Sequence, residues 1–154
     1  MRAVKFSILM PIIAGLCLSA TVASGADKAD ASAVEYRQAV LRVMGANVGP
    51  LVAMVRGATD YDADEVALRA TRIHQMSQML AEAFERDTSA ADDLETEALD
   101  KIWANGADFA DRVAAVQEAS LALSKAPADP SAFKAAFGKL GQSCKGCHDN
   151  YRED

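Results

Sequence analysis

Apolar residues recur three and four positions apart in four separate segments of this chain, a spacing that lines them up along one face of a helix. The segments cover residues 34–55, 66–84, 99–123 and 130–151. The last has the clearest start, because Asp129 can cap a helix whose first residue is Pro130. Runs of strand-forming residues are scarce. Four amphipathic helices predict an all-α fold, an antiparallel up-down-up-down four-helix bundle.

The breaks between these segments also carry information. Gly49-Pro50 predicts a kink in the first helix, and residues 57–62 predict the turn that follows it. Residues 86–96 are polar and lack periodicity, so a longer loop should join the second and third helices. No internal repeat is evident, and we expect one domain over residues 27–154.

The first 26 residues have the composition of a cleavable secretory signal peptide. Arg2 and Lys5 precede an apolar run from Phe6 to Leu18, and small residues follow up to Ala26. The run is shorter than the roughly 18–20 residues that a membrane-spanning helix needs, so an anchor is the weaker interpretation. A signal over residues 1–26 predicts a periplasmic mature protein that is not attached to the membrane.

The charge of the chain excludes one class of partner. The formal net charge is −6, and removal of the two basic residues Arg2 and Lys5 with the signal gives −8. Because a phosphate backbone attracts basic surfaces, nucleic acid is not an expected partner.

The chemistry of the chain is concentrated near its C-terminus, in the sequence Cys144-Lys145-Gly146-Cys147-His148. Cys-x-x-Cys-His is the attachment pattern of c-type haem. Two thiols three residues apart lie close together on a helical turn, so each can add to one vinyl group of the same porphyrin, and the next residue offers an imidazole to the iron. The pattern predicts one haem c bound through Cys144 and Cys147, with His148 as the iron ligand.

Other uses of the cysteine pair fit less well. A structural zinc site needs four ligands, and the second histidine, His74, is far away in sequence. A thioredoxin-like redox pair belongs beside a βαβ pattern, which is absent, and a disulfide across two residues suits a helix badly. No Ser/His/Asp set, carboxylate pair or phosphate-binding loop is evident, so an enzyme is not expected.

Several short stretches accompany the haem motif. They are Tyr36-Arg37-Gln38, Met44-Gly45, Tyr61-Asp62-Ala63, Ile102-Trp103, Ala135 to Gly141 and Asp149 to Arg152. In this order, with the motif at the C-terminal end, they resemble the cytochrome c′ family of bacterial periplasmic monohaem proteins over residues 30–154. That family is itself a standard example of the up-down-up-down bundle.

The resemblance also indicates which residue faces the iron opposite His148. In the family this position lies four residues after the arginine of Tyr-Arg-Gln, which here is Leu41. Low-spin relatives carry a ligating methionine there, and leucine cannot ligate. The resemblance therefore implies a five-coordinate, high-spin iron with an apolar pocket that admits small uncharged diatomics such as NO and CO. Met44, three residues further along the same helix face, is the alternative sixth ligand, although methionine more often fills a core.

The resemblance implies roles for three polar side chains near the haem. Arg37 lies on the apolar face of the first helix, and in the family the matching arginine lies near a haem propionate; the alternative is that it extends to solvent at the end of the bundle. Arg152, one turn after His148, is implied on the proximal side of the haem, with a solvated terminal charge as the alternative. Gln38 is a haem-binding candidate by resemblance alone. His74 is expected at the bundle boundary, and Trp103 and Phe109 in the core.

Together these observations predict a periplasmic c-type cytochrome that carries one electron or captures NO or CO. One rival is a low-spin electron carrier with a methionine as sixth ligand, and another is a haem-free helical interaction module. The expected partners are haem, small diatomic gases and a periplasmic redox protein whose identity the sequence does not give. The resemblance also makes a homodimer possible.

Overall fold

The computed structural model describes residues 28–125 and 129–153. The predicted signal peptide and its cleavage site lie outside these residues. Within them the chain forms six helices: α1 (Lys28–Val55), α2 (Ala63–Gln78), α3 (Leu80–Ala83), α4 (Lys101–Ala104), α5 (Gly106–Ser124) and α6 (Pro130–Tyr151). The described residues include no strand, only one isolated antiparallel bridge between Ala98 and Arg152.

These helices make four bundle elements, as predicted, but two of the predicted helices are broken. The expected helix over residues 66–84 is divided at Met79 into α2 and α3, and the one over residues 99–123 is divided at Asn105 into α4 and α5. At Asn105 the backbone leaves helical geometry (φ −122°, ψ 45°). Asn has low helix propensity and Gly106 follows it, so a break there costs little.

Two helix starts follow from side-chain caps. The carboxylate of Asp62 accepts hydrogen bonds from the backbone N–H groups of Asp64 and Glu65, both 3.0 Å long. Asp129 caps α6 in the same way and Pro130 is the first residue, as the sequence predicted. Each cap satisfies backbone donors that the first helical turn leaves without partners.

Helix α1 continues through Pro50 to Val55. Proline has no N–H, so the carbonyl of Ala46, four residues earlier, loses its helical donor. Arg69 of α2 supplies a replacement, because its Nη1 donates to Ala46 O at 3.3 Å. The predicted break therefore becomes a point of attachment between α1 and α2, and the kink stays a prediction.

The core lies between the helices, and their packing leaves one gap. Helix α1 packs on α2, α2 on α5 and α5 on α6. No comparable packing joins α1 to α6, both of which the structure describes in full, and the large cavity described below lies there. The buried apolar residues of α1 and α2 include Val34, Val40, Leu51, Val66 and Ile73. Among the described helices α1 alone is long and apolar enough to cross a membrane, a criterion that the core helix of a bundle also meets.

Candidate haem site

The cavity between α1 and α6 has a volume of about 840 Å³, which lies in the range of ligand-binding pockets. Helix α5 forms its floor through Phe109, Val113 and Val116, and Leu80 and Phe84 close one end. All of these side chains are apolar, as a buried porphyrin ring requires.

Helix α6 places the residues of the Cys-x-x-Cys-His motif along one wall of this cavity. Cys144 and Cys147 are partly buried and carry free thiols, and His148 lies at the exposed rim. Burial raises the pKa of both thiols, and the neighbouring Cys144 raises that of Cys147 further. Partial burial and then the charge of Arg152 lower the pKa of His148, which favours the neutral imidazole that a metal ion binds.

Gly146, inside the motif, permits a close approach from α5. A Cβ atom at this position would lie 3.3 Å from Nη1 of Arg112. Arg112 is held there by two 3.3 Å hydrogen bonds to the carboxylate of Asp108, one turn earlier on α5. A positive charge therefore lies beside the turn that carries the two thiols.

The opposite wall belongs to α1 and contains both candidates for the sixth position. Leu41 and Met44 each line the cavity. Leu41 is 40% exposed at its edge, whereas Met44 is 8% exposed and lies deeper, packed with the core. The structure thus brings the predicted leucine and its rival methionine to the same cavity.

Arg37 also lines the cavity, and its alternative placement in solvent is wrong, because the residue is only 1% exposed. Its guanidinium donates to Ala83 O (3.2 Å), Thr88 Oγ1 (3.3 Å) and Arg86 O (3.4 Å). It also lies over the rings of Phe84 and Trp103, 4.6 and 5.1 Å from their centroids. Burial lowers its pKa below the ordinary value of an arginine side chain. Contact with a propionate stays a prediction.

Gln38 and Arg152 both line the cavity and contact the segment of residues 84–100, which joins α3 to α4. Nε2 of Gln38 donates to Glu95 O at 2.9 Å. Arg152 is half exposed and lies 3.8 Å from the carboxylate of Glu97. Each predicted site residue therefore reaches the cavity: Cys144, Cys147, His148, Leu41, Arg37, Gln38 and Arg152.

The sequence did not reveal the contribution of the 84–100 segment, of which residues 86–96 were predicted only as a loop. Glu95, Thr96, Glu97 and Ala98 line the cavity, and Thr88 accepts a hydrogen bond from Arg37. These residues have no periodicity or motif, so only their position in the fold identifies them. Phe84, by contrast, is the last residue of the apolar face of the second predicted helix, so the sequence pattern already indicated that it faces the interior.

Of the remaining candidates, Phe109 belongs to the floor of the cavity, whereas His74 and Trp103 are not among its lining residues. His74 lies between α2 and α5, where its Nδ1 is 3.1 Å from Oγ of the buried Ser120, consistent with the predicted boundary position. Phe109 is buried, and Trp103 is half-buried with its indole N–H donating to Phe84 O at 3.0 Å. In the described ranges no group of three or more His, Cys, Asp or Glu residues could hold a metal ion.

A four-helix bundle with a Cys-x-x-Cys-His motif facing an apolar cavity defines a c-type cytochrome of the helical-bundle class. The comparisons with known proteins agree: residues 32–152 match the family described as Cytochrome C′. The chain belongs to the cytochrome c′ family, whose members carry covalently bound haem c, and it has the cysteine pair near its C-terminus. The dimensions, apolar lining and donor groups of the cavity fit that cofactor.

Individual relatives support this assignment over most of the chain. A cytochrome c′ of Halomonas halodenitrificans is 37% identical over 127 residues, 79% of this chain and 96% of the relative. The solved structure of cytochrome c prime from Shewanella frigidimarina has a TM-score of 0.76 and 37% identity, and covers 84% of this chain and 100% of that one. A cytochrome c-556 of Agrobacterium tumefaciens is 32% identical over 79% of this chain and 98% of the relative.

Proposed function

We propose that the protein is a periplasmic c-type cytochrome with a five-coordinate, high-spin haem iron that binds NO and CO and transfers single electrons. The observation that carries this proposal is that the two opposite walls of the cavity carry different kinds of residue. Cys144, Cys147 and His148 lie on its α6 wall, and Leu41, which cannot ligate, lies on its α1 wall. Covalently bound haem supplies the redox-active, ligand-binding iron.

The residues of α6 would hold the cofactor. Cys144 and Cys147 would hold the porphyrin through thioethers, each formed by addition of the thiol S–H across one vinyl group, which needs no external oxidant or reductant. His148 presents a neutral imidazole, which its lowered pKa favours, as the proximal ligand. The free thiols of Cys144 and Cys147 are the only cysteine thiols in the described part of the chain.

The residues of α1 and α5 would set the properties of the ligand side. Leu41 and Met44 offer no hydrogen-bond donor, so bound O₂ would gain no polar stabilisation, whereas NO and CO depend on it less. Phe109, Val113 and Val116 exclude water from the floor of the cavity. One relative supports the binding of NO: an arginine-to-glutamine variant of the Alcaligenes xylosoxidans protein was solved in its ferrous form with bound NO (TM-score 0.72, 32% identity, covering 80% of this chain and 97% of that one).

A second candidate function, a low-spin electron carrier, is favoured by the depth of Met44. Its thioether lies in the same cavity and is more deeply buried than Leu41. Met44→Leu separates the two candidates. If Met44 ligates the iron, this variant changes from a six-coordinate to a five-coordinate spectrum, whereas a wild type with an open site has the same spectrum as the variant.

The test begins with protein exported from a bacterium that matures c-type cytochromes. Its mass should exceed that of the chain after signal cleavage by one haem. A mass without haem would instead favour the haem-free helical interaction module. The reduced wild type should show a high-spin visible spectrum that changes on addition of NO or CO. A low-spin six-coordinate spectrum before any gas is added would refute the proposal.

A further inference from the structure

We infer that Arg37 is a positioning residue that fastens the 84–100 segment to α1, fixes the spacing of α1 from α6, and so keeps Met44 from reaching the haem iron. The inference rests on the proposed function, in which Leu41 faces the open side of the iron. Arg37 acts here through its hydrogen bonds to the segment and to the end of α3, a role separate from the propionate contact that the resemblance implies.

The spacing between α1 and α6 needs an explanation, because these helices do not pack directly on each other along the cavity. Helix α6 carries His148 and α1 carries Leu41 and Met44. The width of this gap and the axial position of α1 therefore determine which α1 side chain lies opposite the imidazole.

The 84–100 segment connects the two walls. At its far end the main chain of the segment is bonded to the last turn of α6 and the residues after it. Leu99 N donates to Tyr151 O at 3.1 Å, and Glu153 N donates to Glu97 O at 2.9 Å. These bonds enclose the bridge between Ala98 and Arg152, and they begin three residues after His148.

The same segment is fastened to α1 by Arg37 and Asp30 at its near end and by Gln38 further along. Asp30 pairs with Arg86 at 2.5 Å, but half of the Arg86 side chain is exposed. The bond from Gln38 to Glu95 O is also exposed. Solvent weakens such interactions, so these two attachments contribute little.

Arg37 differs from both because its guanidinium is buried and bonded at three points. Its three acceptors, Ala83 O, Thr88 Oγ1 and Arg86 O, span the turn where α3 passes into the segment. The rings of Phe84 and Trp103 lie within cation–π distance of the same group. A planar fork with several fixed acceptors allows fewer positions than a single exposed ion pair, so Arg37 restricts the position of α1 relative to the segment more than Asp30 or Gln38 does.

The exchange that Arg37 prevents is short. Met44 lies three residues beyond Leu41, about 4.5 Å along the helix axis and less than one turn. Met44 already lines the cavity, and its unbranched side chain adapts to irregular spaces. A shift of α1 by about 4.5 Å along its axis, combined with a rotation of about 60°, would therefore present a sulfur atom where Leu41 now lies.

The test uses the haem-loaded protein and three variants: Arg37→Gln, Arg37→Lys and Thr88→Val. In each, the low-spin six-coordinate fraction, measured by visible absorption and electron paramagnetic resonance, should rise from below about 1% to above about 10%. Arg37→Lys is informative because it keeps the charge and loses the fork. Thr88→Val removes one acceptor with little change in volume and retains the buried arginine, so it remains usable if the Arg37 variants fold poorly.

Two controls identify the cause. Addition of Met44→Leu to Arg37→Gln should abolish the low-spin signal, which general loosening of the fold would not predict. Arg72→Gln removes the same charge from the exposed face of α2 and should leave the spectrum unchanged. Amide exchange in residues 86–98 should become faster in the Arg37 variants and not in Arg72→Gln.

The outcomes separate this inference from the proposed function. A wild type that is already six-coordinate refutes both. A five-coordinate wild type whose Arg37→Gln, Arg37→Lys and Thr88→Val variants all stay five-coordinate refutes only the positioning role of Arg37. A low-spin signal that persists after Met44→Leu also refutes it, because the ligand would then come from elsewhere.

Discussion

The phenol of Tyr151, in the last turn of α6, donates a 2.6 Å hydrogen bond to the carboxylate of Asp108 near the start of α5. The same carboxylate accepts from Arg112, which lies against Gly146. The Tyr151 ring is buried and meets Phe109 edge-on, with centroids 5.3 Å apart. One hydrogen-bonded group thus links the floor of the cavity to the helix that carries the haem motif.

Tyr151→Phe should lower the free energy of unfolding near neutral pH and have less effect in acid. The hydrogen bond from Tyr151, and then those from Arg112, lower the pKa of Asp108 below its ordinary value near 4. A carboxyl group whose pKa is lower in the folded state contributes stability above its unfolded pKa, which is lost as the pH falls through the folded value. Urea denaturation of wild type and variant at pH 7 and near pH 3 checks this.

Asp108→Asn gives the matching control for that experiment. If Tyr151 and Asp108 act through their mutual bond, Tyr151→Phe should cost much less in the Asp108→Asn background than in the wild type. Equal losses in both backgrounds would show that the phenol stabilises the fold in some other way.

Two glycines of α6 should respond differently to alanine. A Cβ at Gly138 meets no atom within 4 Å, so Gly138→Ala should raise the free energy of unfolding by about 0.5–1 kcal/mol through helix propensity alone. Gly146→Ala should raise the free energy of unfolding by less, because Nη1 of Arg112 lies 3.3 Å from the new Cβ and must move. Urea denaturation of both variants provides the comparison, and equal gains would contradict the close approach of Arg112.

The sequence predicted those features of the fold that depend on local periodicity and capping. The four apolar faces located four bundle elements, and Asp129-Pro130 located the start of α6. The breaks at Met79 and Asn105 were missed because the apolar spacing continues across them. The inclusion of residues 28–33 in α1 was missed because these residues lack an apolar face, although alanine there favours helix.

The candidate site was predictable to the extent that it is local. The three residues of the haem motif are close in sequence, and their spacing alone carries the chemistry. Arg37 was recognised as a cation on an apolar helix face, but its acceptors at residues 83–88 are 46 to 51 positions away and have no motif. The relation of Leu41 and Met44 to the opposite wall likewise depends on how α1 is held, which no local pattern records.

Asn47→Leu should stabilise the protein. Oδ1 of this 6% exposed side chain has no hydrogen-bond partner within the described part of the chain. Nδ2 donates to Val43 O at 2.8 Å, but that carbonyl lies inside α1 and retains its helical donor. Removal of a buried, unpaired oxygen should raise the free energy of unfolding by about 1 kcal/mol, measured by urea denaturation. Asn47→Asp, which puts a charge in the same place, should be less stable than the wild type; a stable aspartate would show that solvent reaches the position.

Leu41→Met should convert the proposed gas-binding protein into an electron carrier whose iron has no open coordination position. A thioether at the position of Leu41 can occupy the open side of the iron, so CO must displace it before binding. We expect a low-spin six-coordinate spectrum in the reduced state and a loss of CO affinity of about tenfold or more, equivalent to about 1.4 kcal/mol. Leu41→Ala is the matched control: it enlarges the cavity without adding a ligand, and CO should bind it at least as tightly as the wild type. If Leu41→Met keeps the spectrum and CO affinity of the wild type while Met44→Leu alters both, residue 44 and not residue 41 faces the iron.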